Sequence, residues 1–573
     1  MDQKDQKING SQALWRSLEA EGVHTVFGYP GGQIMPVYDA LSTYSGDVRH
    51  ILVRHEQGAI HAAQGYARVT GEPGVVIVTS GPGATNVVTG IVDAMSDSTP
   101  LVVITGQVAL AALGTDAFQE ADVTGLTGPI TKWNYQIRRA EDVAWAVSRA
   151  FYVARSGRPG PVVLDFTKDA QTGLTDFQYK KCTFIRSYIP DPEPSEAALD
   201  EAVRLLDAAE RPLCVFGQGV LISHAEAQLQ AFLRKGDIPA GSTMLGLSAL
   251  PSDFPLYQGM IGMHGNVAPN VKTGECDVLV AVGMRFDDRV TGKVSGYAPQ
   301  AKVIHIDIDR AELGKIIPAQ VRICGDAGQV LAVLTERMAG GSHTEWVESF
   351  RACAETEREK VIDPQIHPAG GAIRMGEAVD CVAAVTDGKA IVVTDVGQNQ
   401  MMGARYSRFA RPRSFISSGG LGTMGFGLPA AIGAKLAAPE RPVCLFVGDG
   451  GIQMTLQELG TIMQEGIGVK IVLLNNNWLG NVRQWQELFF GCRYSQTRML
   501  NPDYGKIADA YGIRYRSVED RAGLEPAVRE MFSDDAPCLL DVRVMEEDNV
   551  MPMVPPGRSV GEMMLTEKEW YRK

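Results

Sequence analysis

Two residue groups in the C-terminal third have the types and the spacing to hold a cation against phosphate. The stretch FVGDGGIQMTLQELGTIMQEGIGVKIVLLNNNW (446–478) runs an apolar segment into Gly448-Asp449-Gly450. After 24 further residues a second apolar segment ends in Asn475-Asn476-Asn477. A divalent cation carrying a diphosphate needs oxygen ligands in near-octahedral geometry, with phosphate oxygens completing the shell. An Asp between glycines lets the backbone approach the phosphates closely. An Asn adds a neutral oxygen without further negative charge beside them. A helix expected from near Gln453 would aim its N–H groups at the anion. GDG alone is more often a turn, and Asn-rich loops are common. The specific feature is the pairing of both at strand ends.

A third candidate lies near the N-terminus. Glu56 in ILVRHEQGAIHAAQGYAR (51–68) follows a short apolar run and precedes a Gly/Ala-rich helix with few competing carboxylates. Such a residue can be a first-turn helix acid, which propensity alone favours. In a poorly solvated site at a strand end it can instead be a general acid.

The elements that must position these groups are visible as short Val/Ile/Leu runs ending in Gly or Asp. Examples are GVVIVTSGPG (74–83), PLVVITGQ (100–107), GPVVLDF (160–166), PLCVFGQG (212–219), CDVLVAVGMRFDD (276–288), KVIHIDID (302–309), AIVVTDVG (390–397), PVCLFVGDG (442–450) and VKIVLLNNN (469–477). Continuous apolar runs of this length fit strands buried on both faces, and helix-length segments between them predict α/β domains built on doubly wound parallel sheets. Ligands in such sheets bind beyond the carboxyl ends of the strands, which is where the Gly, Asp and Asn residues cluster.

A chain of 573 residues exceeds one hydrophobic core. Breaker-rich stretches at 188–202, where Ser195 is placed to cap the next helix, and at 338–370 predict linkers. They divide the chain into domains over 1–187, 188–345 and 360–545, with a Met/Pro-rich tail over 546–573 expected to lie as an ordered arm over a cleft. A net charge of −13 argues against a nucleic-acid surface. The nine cysteines are dispersed without a CxxC pair, and several of them, in apolar strand-like runs, read as small buried hydrophobes. The N-terminus shows neither an apolar signal core nor transit-peptide character, and no apolar run approaches the roughly 20 residues of a membrane span. The expected location is the cytoplasm.

The GDG and NN spacing resembles the signature of thiamine diphosphate enzymes. In that family the Asp, the second Asn and a backbone carbonyl two residues later bind Mg²⁺, which points to Asp449, Asn476 and the carbonyl of Trp478. RHE before a small-residue helix, followed by TSGPGATN (79–86), resembles the start of their pyrimidine-binding domains, and makes Glu56 the residue that protonates the cofactor's aminopyrimidine. Over essentially its full length the chain resembles the catalytic large subunits of the acetohydroxyacid synthase (acetolactate synthase) family. The resemblance is carried by VFGYPGG (26–32), RHEQGA (54–59), TDAFQE (115–120), SGRPGPVVLDFTKD (156–169), GMHGN (262–266), VGMRFDDRVTGK (282–293), HIDIDRAELGK (305–315), SGGLGTMGFGLPAAIGA (418–434), RQWQELFF (483–490) and MPMVPPG (551–557).

The resemblance implies decarboxylation of pyruvate on thiamine diphosphate. The two-carbon unit passes to a second pyruvate or to 2-oxobutyrate, giving the acetohydroxy acids of valine, leucine and isoleucine biosynthesis. It places Val396, Gln398, Asn399, Gly448 and Gly450 at the diphosphate, Met424 beneath the bent cofactor, and Phe118, Gln119 and Lys168 on the substrate side. Trp485 resembles the residue that favours 2-oxobutyrate as acceptor. The middle domain resembles one that binds FAD in a structural role, through Arg158, Gly217, Gly219, Thr243, Met244, Leu245, His264, Gly283, Arg285, Asp287, Arg289, Asp307, Ile308 and Asp326. No GxGxxG supports FAD independently, and a structural salt-bridge network explains RFDDR (285–289) equally well. The implied assembly is a homodimer or larger oligomer with the active site between subunits, plus a small regulatory subunit.

Four positions depart from the family pattern: Gln33, Thr167 before the Lys, Asn399, and Asn481, where a hydrophobic residue usually follows LG. Competing readings are a flavin-free catabolic acetolactate synthase, a pyruvate oxidase, and a catalytically silent scaffold for a regulatory subunit. RFDDR, Trp485 and HIDIDRAELGK disfavour the first two, and intact Glu56, Asp449 and Asn476 disfavour the third. Glyoxylate carboligase is disfavoured by Glu56, which is apolar there.

Overall fold

The structure, a computed structural model, describes residues 7–571. Three six-stranded sheets follow one another along the chain, and every strand pair within them is parallel. The first contains β1 (Thr25–Gly28), β2 (Arg49–Leu52), β3 (Gly74–Val78), β4 (Leu101–Gln107), β5 (Trp133–Ile137) and β6 (Pro161–Thr167), ordered β2-β1-β3-β4-β6-β5. The second contains β7 (Pro212–Phe216), β8 (Ala240–Ser242), β9 (Tyr257–Met260), β10 (Val278–Val282), β11 (Lys302–Asp307) and β12 (Val321–Cys324), ordered β9-β8-β7-β10-β11-β12. The third contains β13 (Ile391–Thr394), β14 (Phe415–Ile416), β15 (Val443–Gly448), β16 (Val469–Asn475), β17 (Arg514–Val518) and β18 (Cys538–Arg543), ordered β14-β13-β15-β16-β18-β17.

The outer two sheets therefore share one topology. The middle sheet has the doubly wound order in which the strand sequence reverses between β7 and β10, the crevice where such sheets take dinucleotides. Central strands such as β3, β10 and β16 are buried along their whole length, because helices cover both faces. Edge strands β5 and β17 are only half-buried, and their mixed polar sequences reflect it.

The first and third sheets meet through α1 (Glu56–Thr70) and α2 (Gly427–Ala437). Two glycines set how closely these helices approach. A Cβ on Gly65 would overlap the Ala430 carbonyl oxygen, and one on Gly433 the Ala62 carbonyl oxygen. The docking is fixed further by polar groups: Arg68 on α1 reaches the Ser417 carbonyl at 2.7 Å and Asp97 at 2.6 Å.

Two expectations change. Ser195 stands at the N-cap of helix Glu196–Asp207 but makes no side-chain cap bond. The stretch 338–370 is not a bare linker. It carries helix Thr344–Glu357, and Trp346 there is buried with its indole N–H on the Pro212 carbonyl at 2.8 Å. Breakers at both ends obscured a helix that covers the middle sheet. The tail is ordered: Asp548 through Val554 are buried, and Met553 pairs with Met564. Among the described residues no helix is long and apolar enough to cross a membrane.

Overpacking a well-filled contact costs about 1–3 kcal/mol. Gly433→Val is expected to lower stability by at least that amount, read as a lower midpoint in thermal unfolding. Gly22→Ala, whose Cβ would meet open space at φ +83°, tests backbone strain alone and is expected to cost less.

Candidate functional site

Parallel pairing of β15 with β16 sets Gly448 opposite Leu474, so the residues that leave the two strands, Asp449 and Asn475–Asn476, emerge side by side. Asp449 opens helix α3 (Asp449–Met454) directly. The helix begins there and not near Gln453, because the strand passes into it without a loop. Asp449 is fully buried, and its Oδ2 accepts from Asn501 Nδ2 at 2.7 Å. Its Oδ1 is buried without a hydrogen-bond partner among the described residues. Burial raises the Asp449 pKa above the ordinary carboxylate range. A bound cation would reverse that cost.

Asn476 is buried, accepts from the Trp478 N–H at 3.1 Å and donates to Gln398 Oε1 at 3.3 Å. Asn475 donates instead to Asp541 at 3.0 Å, and Asn477, at φ 59°, to Glu546 at 2.9 Å, so both serve the loop's own architecture. A carboxylate with one free oxygen beside an amide oxygen suits a hard divalent cation that also takes phosphate oxygens.

Sequence reasoning missed two residues here. Asn501 contacts Asp449, Asn475 and Asn477 at once, at 2.7, 3.0 and 3.2 Å. Asp395, buried at the end of β13, accepts the N–H groups of Val396, Gly425 and Gly427, at 2.8 Å from Val396 and from Gly427. It thereby ties the TDVG turn to the loop that carries Met424. The Asp of TDVG was in view as part of a motif, whereas Asn501 carries no local signal.

The glycines act by leaving space. A Cβ on Gly450 would crowd Leu479 and lie 3.3 Å from Met424 Cε. Gly448 faces Asn399 Nδ2 at 3.5 Å from its would-be Cβ. Gly480, which opens helix α4 (Gly480–Phe489), abuts Gln398 and Asn476. Gln398 donates to the Asp548 carbonyl at 2.7 Å, and Asn399 to the Val396 carbonyl at 3.3 Å with its Oδ1 left buried and unpartnered.

Beyond the carboxyl ends of β7 and β10 lies a cavity of about 760 Å³. Every residue that the resemblance assigned to FAD lines it, and so do Val396, Asn481 and Trp485. Gly217 and Gly219 pack directly on Gly283 at the reversal of strand order, where side chains would clash. Burial lifts Asp307 to about 7, against the hydrogen bond from the Asp309 N–H, and lowers the buried His264 to about 4. Arg158 crosses from the first domain to Asp309 at 3.2 Å and Glu312 at 3.0 Å. In RFDDR the pairs Arg285–Asp287 at 3.9 Å and Arg289–Asp288 at 3.7 Å are long and partly exposed, weak as structural salt bridges. Asp287 instead caps helix Asp288–Thr291.

Glu56, Phe118, Gln119 and Lys168 do not line this cavity, and neither do Asp449 and Asn476. Glu56 is the first residue of α1, and its Oε2 accepts from Asn86 Nδ2 at 3.0 Å. Phe118 is 84% exposed, Gln119 sits at φ 62° against Gly81, and Lys168 is exposed at the start of helix Lys168–Thr172. Thr167 caps that helix and donates to the Ile137 carbonyl at 2.9 Å, a role a proline could not fill. Of the residues assigned to the cation and the diphosphate, Val396 alone lines the cavity with the residues assigned to FAD.

Comparison with known proteins matches residues 8–126 to the thiamine pyrophosphate enzyme N-terminal TPP binding domain. Residues 199–334 match the central domain and 395–542 the C-terminal TPP binding domain of the same family. The chain is 46% identical to the acetolactate synthase isozyme 2 large subunit of Escherichia coli K12 over 558 residues, 97% of this chain and 99% of the relative. It is 43% identical over 563 residues to the acetolactate synthase large subunit of Lactococcus lactis, 98% and 96% of the two chains. It is 45% identical over 571 residues to that of Parasynechococcus marenigrum, 98% and 91% of the two chains.

Residues that orient a metal ligand from behind are worth roughly 10- to 100-fold in affinity. Asn501→Ala is expected to weaken Mg²⁺ binding by that factor, measured as the Mg²⁺ concentration that half-saturates the thermal shift. An unchanged midpoint would remove Asn501 from the site.

Proposed function

The chain belongs to the acetolactate synthase large-subunit family of thiamine diphosphate enzymes, and from that premise we propose that it performs the acetolactate synthase reaction with Mg²⁺ and FAD as further cofactors. Pyruvate loses CO₂, and its remaining two-carbon unit joins the carbonyl carbon of a second pyruvate or of 2-oxobutyrate. The products, 2-acetolactate and 2-aceto-2-hydroxybutyrate, serve branched-chain amino acid synthesis. The observation that carries this reading is the orphaned, buried Oδ1 of Asp449 beside the Asn476 amide at adjoining strand ends.

Asp449, Asn476 and the Trp478 carbonyl would hold Mg²⁺ in this reading, with Val396, Gln398, Asn399, Gly448 and Gly450 around the diphosphate and Met424 beneath the rings. Thiamine diphosphate, when bound, supplies a carbon nucleophile next to a cationic ring that takes up the charge left as CO₂ departs. Asn86 occupies Oε2 of Glu56, which leaves Oε1 as the oxygen that would face the cofactor's ring nitrogen. Gly83 keeps that approach open: its would-be Cβ lies 3.5 Å from Oε1. In this reading two copies meet, with Glu56, Phe118, Gln119 and Lys168 of one facing the cation site of the other. Domains over 1–187, 188–345 and 360–545 would then bind the pyrimidine, FAD and the diphosphate. A small regulatory subunit that senses branched-chain amino acids is the partner that fits a large subunit.

Purified protein supplied with pyruvate, thiamine diphosphate, Mg²⁺ and FAD is expected to yield acetolactate and CO₂. Acetate formed with consumption of an electron acceptor would replace this reading with an oxidase. Glu56→Gln is expected to lower kcat by about 100-fold or more, the usual weight of a proton-transfer group, while thiamine diphosphate binding is nearly kept. Full turnover in that variant would exclude Glu56 from the chemistry.

Flavin binding should carry the signature of Asp307. Its pKa in the folded protein, about 7, lies above the ordinary carboxylate value, so the empty site holds it protonated below neutrality. Ribose hydroxyls donate to the ionised form, so binding releases a proton. FAD affinity is therefore expected to rise with pH up to about 7, by at most about tenfold per unit, and then level off. In Asp307→Asn the dependence should vanish, as read by flavin fluorescence titration.

A further inference from the structure

Asn481 is the departure from the family pattern that the site geometry makes most consequential. It is the second residue of α4, and Trp485 follows four residues later on the same helix face. Both line the large cavity. The start of α4 is pinned to the cation site, because Gly480 abuts Gln398 and Asn476. Asn481 thus stands between Gly480 and Trp485, on the wall that the synthase reading assigns to acceptor choice. Its Oδ1 is buried and has no hydrogen-bond partner among the described residues, although the residue as a whole is only half-buried. An acceptor atom in that state costs about 1–3 kcal/mol, a cost that an apolar side chain would not carry. A phosphate does not relieve it, since phosphate oxygens repel a carbonyl oxygen. What relieves it is a donor, and the half-buried side chain has room to turn its amide toward one.

We infer that Asn481 makes the acceptor subsite polar, so that it takes 2-oxo acids bearing a hydroxyl on the carbon next to the carbonyl, with that O–H donating to Asn481 Oδ1. The inference rests on the synthase reading and names its substrate class more narrowly. The chemistry balances without an oxidant. Pyruvate loses CO₂, one carbon–carbon bond forms between its former carbonyl carbon and the acceptor's carbonyl carbon, and the acceptor's carbonyl oxygen gains one proton. A site built to pair a substrate hydroxyl discriminates against the analogue that lacks it, because its own polar group is then left unpaired.

3-Hydroxypyruvate and 2-oxobutyrate are near-isosteres, with CH₂OH in place of CH₂CH₃, and therefore probe the hydroxyl alone. Each is offered with pyruvate to the holoenzyme, both products are quantified in competition, and acetolactate from pyruvate alone serves as the internal standard. Wild type is expected to favour 3-hydroxypyruvate by about five- to tenfold, the weight of one net hydrogen bond. Asn481→Leu and Asn481→Met are each expected to move the ratio toward 2-oxobutyrate by the same factor. A wild-type preference for 2-oxobutyrate, or a ratio unmoved in whichever variant still makes acetolactate, overturns the inference and leaves the synthase reading intact. Absence of acetolactate in wild type would overturn both.

Discussion

Two buried carboxylates hold one loop from opposite sides, and the rest of the site depends on that grip. Asp97, from the first domain, accepts the Gly419 and Gly420 amides at 2.9 and 2.7 Å. Asp395, from the third, accepts those of Gly425 and Gly427. Ser418 adds a 2.5 Å bond to Asp93, a carboxyl raised to about 6 by burial and by the charge of Asp97. Hydrogen bonds from backbone N–H groups to a charged acceptor are among the strong ones, and a buried carboxylate without them would be costly. Between these anchors lies Met424, whose methyl group reaches the space a side chain at Gly450 would occupy. The position of that methionine is therefore set by two domains, and only their docking across α1 and α2 makes it definite.

How much of this was legible in the sequence follows from how local each constraint is. The pairing of Asp449 with Asn476 was legible because their strands are parallel neighbours, joined by a crossover of helices Asp449–Met454 and Leu459–Glu465 that fixes the spacing between their ends. Glu56 was legible as a helix acid, and only the resemblance gave it a chemical role. The buried strands declared themselves by continuous apolar runs, while the half-exposed edges β5 and β17 did not. Asn501 and Asp97 serve through contacts far away in the chain, and no local pattern marks them, while Asp395 was in view within TDVG but its contacts to Gly425 and Gly427 were not. Helix Thr344–Glu357 was hidden between breakers, and the start of α3 was misplaced because no loop separates it from its strand.

The residues lining the crevice of the middle sheet are a different case. No phosphate-binding fingerprint follows β7, yet the strand order reverses beside it, and Gly217, Gly219 and Gly283 bring the backbones together there. Strand order is a property of the whole sheet, so a reader of the sequence reaches it only through similarity to a known fold. Asn481 shows the opposite limit. The sequence marks it as unusual, but the unsatisfied oxygen that gives the departure meaning exists only once α4 is packed.

The tail links Gln398 of the third domain to His264 of the second. The Asp548 carbonyl takes the Gln398 amide, the Val550 backbone is held on both sides by Gln484, and four residues after Asp548 the Pro552 carbonyl lies 3.2 Å from His264 Nδ1. One strap thus rests on Gln398 and on His264, which the proposed function places at the diphosphate and at FAD. Under the proposed function, a ligand that seated the strap at either end would meet part of the ordering cost at the other, and the two occupancies would be thermodynamically reciprocal. Loosening the strap would be felt as a loss of communication between them before it was felt as a loss of either.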